Sequence, residues 1–135
     1  MTTTAGDRVH ILGVGNMGKY VARGLKRARP ELPVTLLFHR QNLEEQWQDA
    51  GKAIHYSREG YSDSTDGFEV EHVSEASRDT NLGPIKHLIL LTKTYNTTLS
   101  LKQVKARLGV DSTVLFLQNG MGKKINRLFS VCILT

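Results

Sequence analysis

The sequence predicts an α/β protein built on a doubly wound, mostly parallel sheet with helices on both faces. Three observations carry that prediction. Apolar runs at 8–12, 33–38, 87–92 and 112–117 are continuous rather than alternating, as strands covered on both faces require. Stretches of helical period lie between several of them, giving the strand–helix alternation of parallel sheets. The first run also enters a glycine-rich turn that opens directly into a helix.

Each element has its own signal. After the strand at 8–12, Met17, Val21, Leu25 and Ala28 recur at helical spacing. Lys19, Arg23, Lys26, Arg27 and Arg29 are assigned to the solvent side, and Pro30 stops the helix. The second strand at 33–38 leads to a helix over 43–50, closed by Gly51. A weaker third strand is expected at 53–56, followed by a loop or hairpin excursion over 57–67. Alternation at 68–73 reads as an edge strand with one wet face. A central strand at 87–92 precedes a helix capped by Thr97 or Thr98, with Leu101, Val104 and Leu108 inward and Gly109 at its end. The strand at 112–117 runs into the loop Gln118-Asn119-Gly120-Met121-Gly122.

Composition narrows the function. The 135 residues read as one domain, 1–135, large enough to bury a core. No stretch is apolar enough for a membrane span and the start lacks a secretory apolar core, so no membrane role is expected. A single cysteine, Cys132, excludes an internal disulfide framework and fits a reducing, cytoplasmic setting. The net charge of +5 raises a nucleic-acid role. The basic residues are scattered over predicted helices with no basic run or stacking platform, so no nucleic-acid partner is expected. The histidines have no metal-ligand spacing on a helix, so they read as satisfied or solvated side chains. No metal site is assigned, and no Ser-His-Asp or Cys-His arrangement emerges.

The functional signal is Gly13-Val14-Gly15-Asn16-Met17-Gly18, a G-x-G-x-x-G turn between strand and helix. Gly13 permits the bend, Gly15 lets backbone approach a pyrophosphate, and Gly18 lets the helix lie close to the sheet. The unpaired N–H groups opening the helix favour an anion. The spacing alone is a weak signal; its place after the first strand sharpens it into a dinucleotide-binding, Rossmann-like turn. Ligands in such sheets lie over the carboxyl ends of the strands, so His39, Arg40, residues 92–96 and residues 118–122 are expected to converge there. Arg40 stands where an NAD-preferring site would carry an acid, and no acid occurs until Glu44. A guanidinium suits a 2′-phosphate, which points to NADP(H). The plain alternative is a solvated arginine at a strand end. Lys93 could hold a phosphate, ribose hydroxyl or carboxylate as a point charge, or simply snorkel from its strand. Asn119 could pair with an amide, a ribose or a keto acid, or serve only as an Asn-Gly turn.

Taken with the order of Gly13–Gly18, Arg40, Leu91-Thr92-Lys93-Thr94-Tyr95 and Leu117-Gln118-Asn119-Gly120-Met121-Gly122, the chain resembles the N-terminal domain of ketopantoate reductases, over about 8–122. The resemblance implies NADPH-dependent reduction of 2-dehydropantoate in pantothenate biosynthesis. It places the pyrophosphate on the glycine turn, the 2′-phosphate on Arg40, and Lys93 and Asn119 on the nicotinamide side. It also implies a helical second domain that supplies the catalytic lysine and most of the keto-acid site, so no catalytic residue is assigned here. The chain is therefore expected to be incomplete for turnover, with a homo-oligomer or a partner chain covering an exposed edge. A non-catalytic dinucleotide-responsive module, and a related reductase acting on another 2-keto acid, are the alternatives.

Overall fold

The structure, a computed structural model, describes residues 8–38, 41–73, 84–91, 101–102, 104–117 and 132–134, with backbone alone for residues 16, 41 and 132–134. Its elements run β1 (Val9–Leu12), α1 (Asn16–Ala28), β2 (Val34–Phe38), α2 (Gln41–Asp49), β3 (Ile54–Arg58), β4 (Tyr61–Thr65), β5 (Glu69–His72), β6 (His87–Leu90), a 3₁₀ turn (Lys105–Arg107), β7 (Thr113–Phe116) and β8 (Cys132–Leu134).

Six strands form one sheet in the order β5-β2-β1-β6-β7-β8, and every neighbouring pair is parallel. The chain steps outward from β1 to β2 and β5, then returns to the other side of β1 for β6. That reversal is the switch point of a doubly wound, Rossmann-like sheet. The register aligns the carboxyl ends: Leu12 pairs with Leu37 on one side and with Leu90 on the other. Beyond the strands, Leu91 N–H donates to Leu12 C=O at 2.9 Å and Leu117 N–H to Leu90 C=O at 3.0 Å.

Alternation along β1 splits the core between the two faces. Ile11 packs with Ala22, Val34, Leu36, Trp47 and Ile54 under α1 and α2. Leu12 packs with Leu37, Leu88, Leu90, Leu101 and Val104 on the other side. Both faces are dry, which is why every residue of β2 is buried and its sequence shows no polar alternation. Phe38, Trp47 and Phe68 stack in series over the first face, with centroids 6.2 Å and 5.9 Å apart.

Of the two readings of 57–67, loop or hairpin, the structure shows the hairpin: the weaker third strand, β3, pairs antiparallel with β4 in a separate two-stranded sheet between α2 and β5. Other sequence expectations are corrected in detail. The hairpin leans on α1 through Arg23, whose Nε donates to Asp63 Oδ1 at 3.1 Å and whose guanidinium lies 4.0 Å from the Tyr56 ring centroid. Arg27 adds a second contact to Asp63 at 3.0 Å. Arg23 is thus half-buried rather than on a purely solvated face, and its guanidinium draws the Asp63 carboxyl down to about 2. Lys26 likewise turns back to donate to the Leu32 carbonyl at 3.0 Å.

Helix α2 begins two residues before the expected position and ends through Gly51, at φ +75, with Lys52 N–H donating back to Trp47 C=O at 3.0 Å. The later helix ends in the 3₁₀ turn, before Leu108, while Leu101 and Val104 are buried as expected; its cap at Thr97 or Thr98 lies outside the described residues. The edge assignment at 68–73 is borne out by β5, the outer strand beside β2. Among the described residues no helix is long and apolar enough to cross a membrane.

Candidate functional site: the glycine turn at the switch point

The turn between β1 and α1 sits at the carboxyl edge of the sheet, where the strand order reverses. Each glycine has a different reason to be one. Gly13 adopts φ +98, a conformation that strains any side-chain-bearing residue. Its carbonyl accepts from Gly15 N–H at 3.0 Å, closing the bend. Gly18 faces back onto that bend: a Cβ there would lie 2.4 Å from Gly13 O and 3.2 Å from Gly13 C. Gly15 is the opposite case. It has an extended backbone at φ −91, and a Cβ would meet nothing within 4 Å. Steric demands of the fold account for Gly13 and Gly18; at Gly15 no packing contact requires a glycine, which there caps the helix and leaves the space above it open.

The electrostatics agree. Gly15 is the N-cap of α1, with no side-chain capping bond, and the first turn carries no acidic residue. The N–H groups and the positive dipole end are therefore left without an anionic side chain of their own. Lys26 and Arg27 occupy the last turn, where they complement the dipole's negative end.

The inner face of α1 differs from the expected one. Met17 is 64% exposed and Ala28 is exposed, whereas Gly18 and Ala22 are buried. The contact of Gly18 with Gly13 fixes the helix's rotation, and that rotation turns Met17 outward beside the mouth of the turn. Val14 is buried in the core, so its role is to anchor the turn rather than to touch a ligand with its side chain. For Asn16 the structure gives the backbone, at the first helical position. Arg40, Lys93 and Asn119 lie outside the described residues. Arg40 directly precedes the first residue of α2, Lys93 stands two residues beyond Leu91, and Asn119 two beyond Leu117.

Sequence reasoning missed two polar features. His72 ends β5 and faces α2, with Nδ1 3.3 Å from Glu44 Oε2. These two residues, with Glu45 and Gln48, line an open cleft of ≈ 390 Å³. His10 is buried on β1, and its Nδ1 has no hydrogen-bond partner. Buried with an unpartnered Nδ1, it departs at that atom from the expected satisfied or solvated histidine. Burial pushes its imidazole down to about 4, against a partial pull from Glu71. Neither feature has a sequence signature, since each depends on which strand neighbours which.

A family profile described as "Ketopantoate reductase PanE/ApbA" matches residues 9–130. The chain belongs to the ketopantoate reductase family. Among its relatives, a ketoisovalerate reductase of Beauveria bassiana is 32% identical over 133 residues, covering 90% of this chain and 28% of the relative. A 2-dehydropantoate 2-reductase of Saccharomyces cerevisiae is 28% identical, covering 90% of this chain and 32% of the relative. The chain thus spans about a third of the length of the curated relatives it matches. In three dimensions, a 2-dehydropantoate 2-reductase from Geobacter metallireducens GS-15 superposes with a TM-score of 0.69 at 21% identity, over 92% of this chain and 39% of the other. That likeness supports the fold.

Proposed function

We propose that this chain is the NADP(H)-binding domain of a ketopantoate reductase-like oxidoreductase that reduces a 2-keto acid, and that its setting is the cytoplasm. The observation that carries the proposal is Gly15, an N-cap with open space above it on a helix whose first turn holds no acid. When bound, the coenzyme supplies the hydride that reduces the ketone. The backbone of Gly13, Val14, Gly15, Asn16, Met17 and Gly18 would hold the pyrophosphate, with the dipole of α1 behind it. Arg40 would take the 2′-phosphate, and Lys93 and Asn119 the nicotinamide side. The acid that protonates the new alkoxide would come from a second domain, as the family resemblance implies.

Both relatives are named for 2-keto acids branched next to the ketone, ketoisovalerate and ketopantoate, and a substrate of that class is the one proposed here. Membership of pantothenate biosynthesis follows if ketopantoate is that substrate. The alternative, a dinucleotide-responsive module without a reaction of its own, differs in what a second domain adds.

Titration of the purified chain with NADPH and NADH tests the proposal. Saturable binding is expected, and Arg40→Ala is expected to lower NADPH affinity about ten- to hundredfold while leaving NADH nearly unchanged. Absence of binding by the folded chain overturns the coenzyme reading, and equal losses overturn the role of Arg40. Steady NADPH oxidation with ketopantoate by residues 1–135 alone would overturn the assignment of the acid to a second domain.

A further inference from the structure

The register of the sheet places His72, and through it Glu44, along the same edge as the glycine turn. Leu12, just before the glycine turn, pairs with Leu37 of β2, and the next residue of β2, Phe38, pairs with His72 of β5. His72 therefore stands two strand spacings, about 10 Å, along the same edge from the turn. That is comparable to the length of an adenosine. Here His72 meets Glu44, at 3.3 Å, in the first turn of α2. Both side chains keep access to solvent, at 41% and 31% exposure, and the ≈ 390 Å³ cleft between them is open.

We propose that Glu44, held by His72, is a specificity-determining carboxylate for the coenzyme's adenosine ribose, opposing the preference that Arg40 sets. This rests on the coenzyme reading above. A carboxylate accepts a hydrogen bond from the 2′-hydroxyl of NAD(H) and repels the 2′-phosphate of NADP(H). Glu44 lies in the first turn of α2 and follows Arg40 by four residues in the sequence. His72 faces it from β5, and Glu45 and Gln48 from α2 complete the cleft. The contact with His72, at 3.3 Å, restrains the Glu44 carboxylate. The balance of guanidinium and carboxylate then sets a modest discrimination that lets both coenzymes bind.

The test is paired NADPH and NADH titration of the 135-residue chain as wild type, Glu44→Gln and His72→Asn, with circular dichroism as the folding control. Glu44→Gln is expected to raise NADPH affinity about three- to tenfold, the effect of one unit charge removed near a phosphate in high dielectric, while NADH affinity stays level or falls. His72→Asn, which removes the imidazole that holds Glu44, is expected to move the NADPH/NADH ratio in the same direction by a smaller factor. A ratio unchanged within twofold in Glu44→Gln, or moved in opposite directions by the two variants, overturns the inference while leaving the coenzyme reading intact. A folded wild type that takes up neither coenzyme overturns the coenzyme reading itself, and this inference with it.

Discussion

Adding one methyl group at Gly18 tests the architecture of the turn at its tightest point. The new Cβ would sit 2.4 Å from the Gly13 carbonyl oxygen, against the 3.4–4 Å of ordinary contact. About 1 Å of separation must therefore be found. The obstructing atoms are backbone, so no side chain can swing aside; either the bend at Gly13 opens or α1 lifts from the sheet. Overpacking of this kind costs about 1–3 kcal/mol, and lifting α1 adds lost contacts of Ala22 and Leu25. Alanine's better helix propensity returns about 1 kcal/mol. The expected net effect of Gly18→Ala is a loss of about 1–2 kcal/mol. Gly24 provides the internal control: it lies on the same helix, exposed, with nothing within 4 Å of a Cβ. Gly24→Ala should gain about 0.5–1 kcal/mol from propensity alone. Urea unfolding at fixed pH reads both midpoints, with the slope confirming that the transition has not changed character. Shifts of the two variants in the same direction would refute the claim that the Gly18–Gly13 contact holds α1 in place.

Gly15→Ala separates ligand from fold. Losing glycine at the N-cap should cost under about 1 kcal/mol of stability, since the backbone is extended and the space is open. Coenzyme affinity should fall by more than tenfold, and a variant that binds NADPH normally would remove the reason given for this glycine. His10 predicts an acid-sensitive fold. Its folded imidazole titrates near 4 and its unfolded one near 6.5, so between those values the unfolded chain binds the extra proton and stability falls as pH drops. The loss across that window is about 2–3 kcal/mol, complete only near pH 4. Unfolding measured from pH 7 to 4 should flatten in His10→Gln; an unchanged slope in that variant would assign the pH dependence elsewhere.

The parallel sheet was legible because β2 and β6 are dry on both faces, which leaves uninterrupted apolar runs in the sequence. The turn was legible because steric demand restricts Gly13 and Gly18 to one residue type. What stayed hidden involved choices made in three dimensions. The apolar period of α1 pointed Met17 inward, but the close approach of Gly18 overrides a period by rotating the helix. The hairpin at 54–65 was legible only as one of two readings, loop or hairpin, because its polar, turn-rich sequence marks a reversal without naming a strand partner. Arg23 reads as a surface residue until the hairpin supplies Asp63 and Tyr56 to cover it. The meeting of Glu44 with His72 likewise follows from β5 docking beside β2, a long-range pairing that residue spacing does not encode.

The series Phe38, Trp47 and Phe68 has a practical consequence. Trp47 is the chain's single tryptophan, and it is buried beneath the end of β2. Indole emission from this molecule therefore comes from one known place, a neighbour of the residues where adenosine selectivity is at issue. The protein carries its own optical gauge: a shift in that emission on adding a nucleotide reports events at one corner of the sheet, with no dye or tag attached.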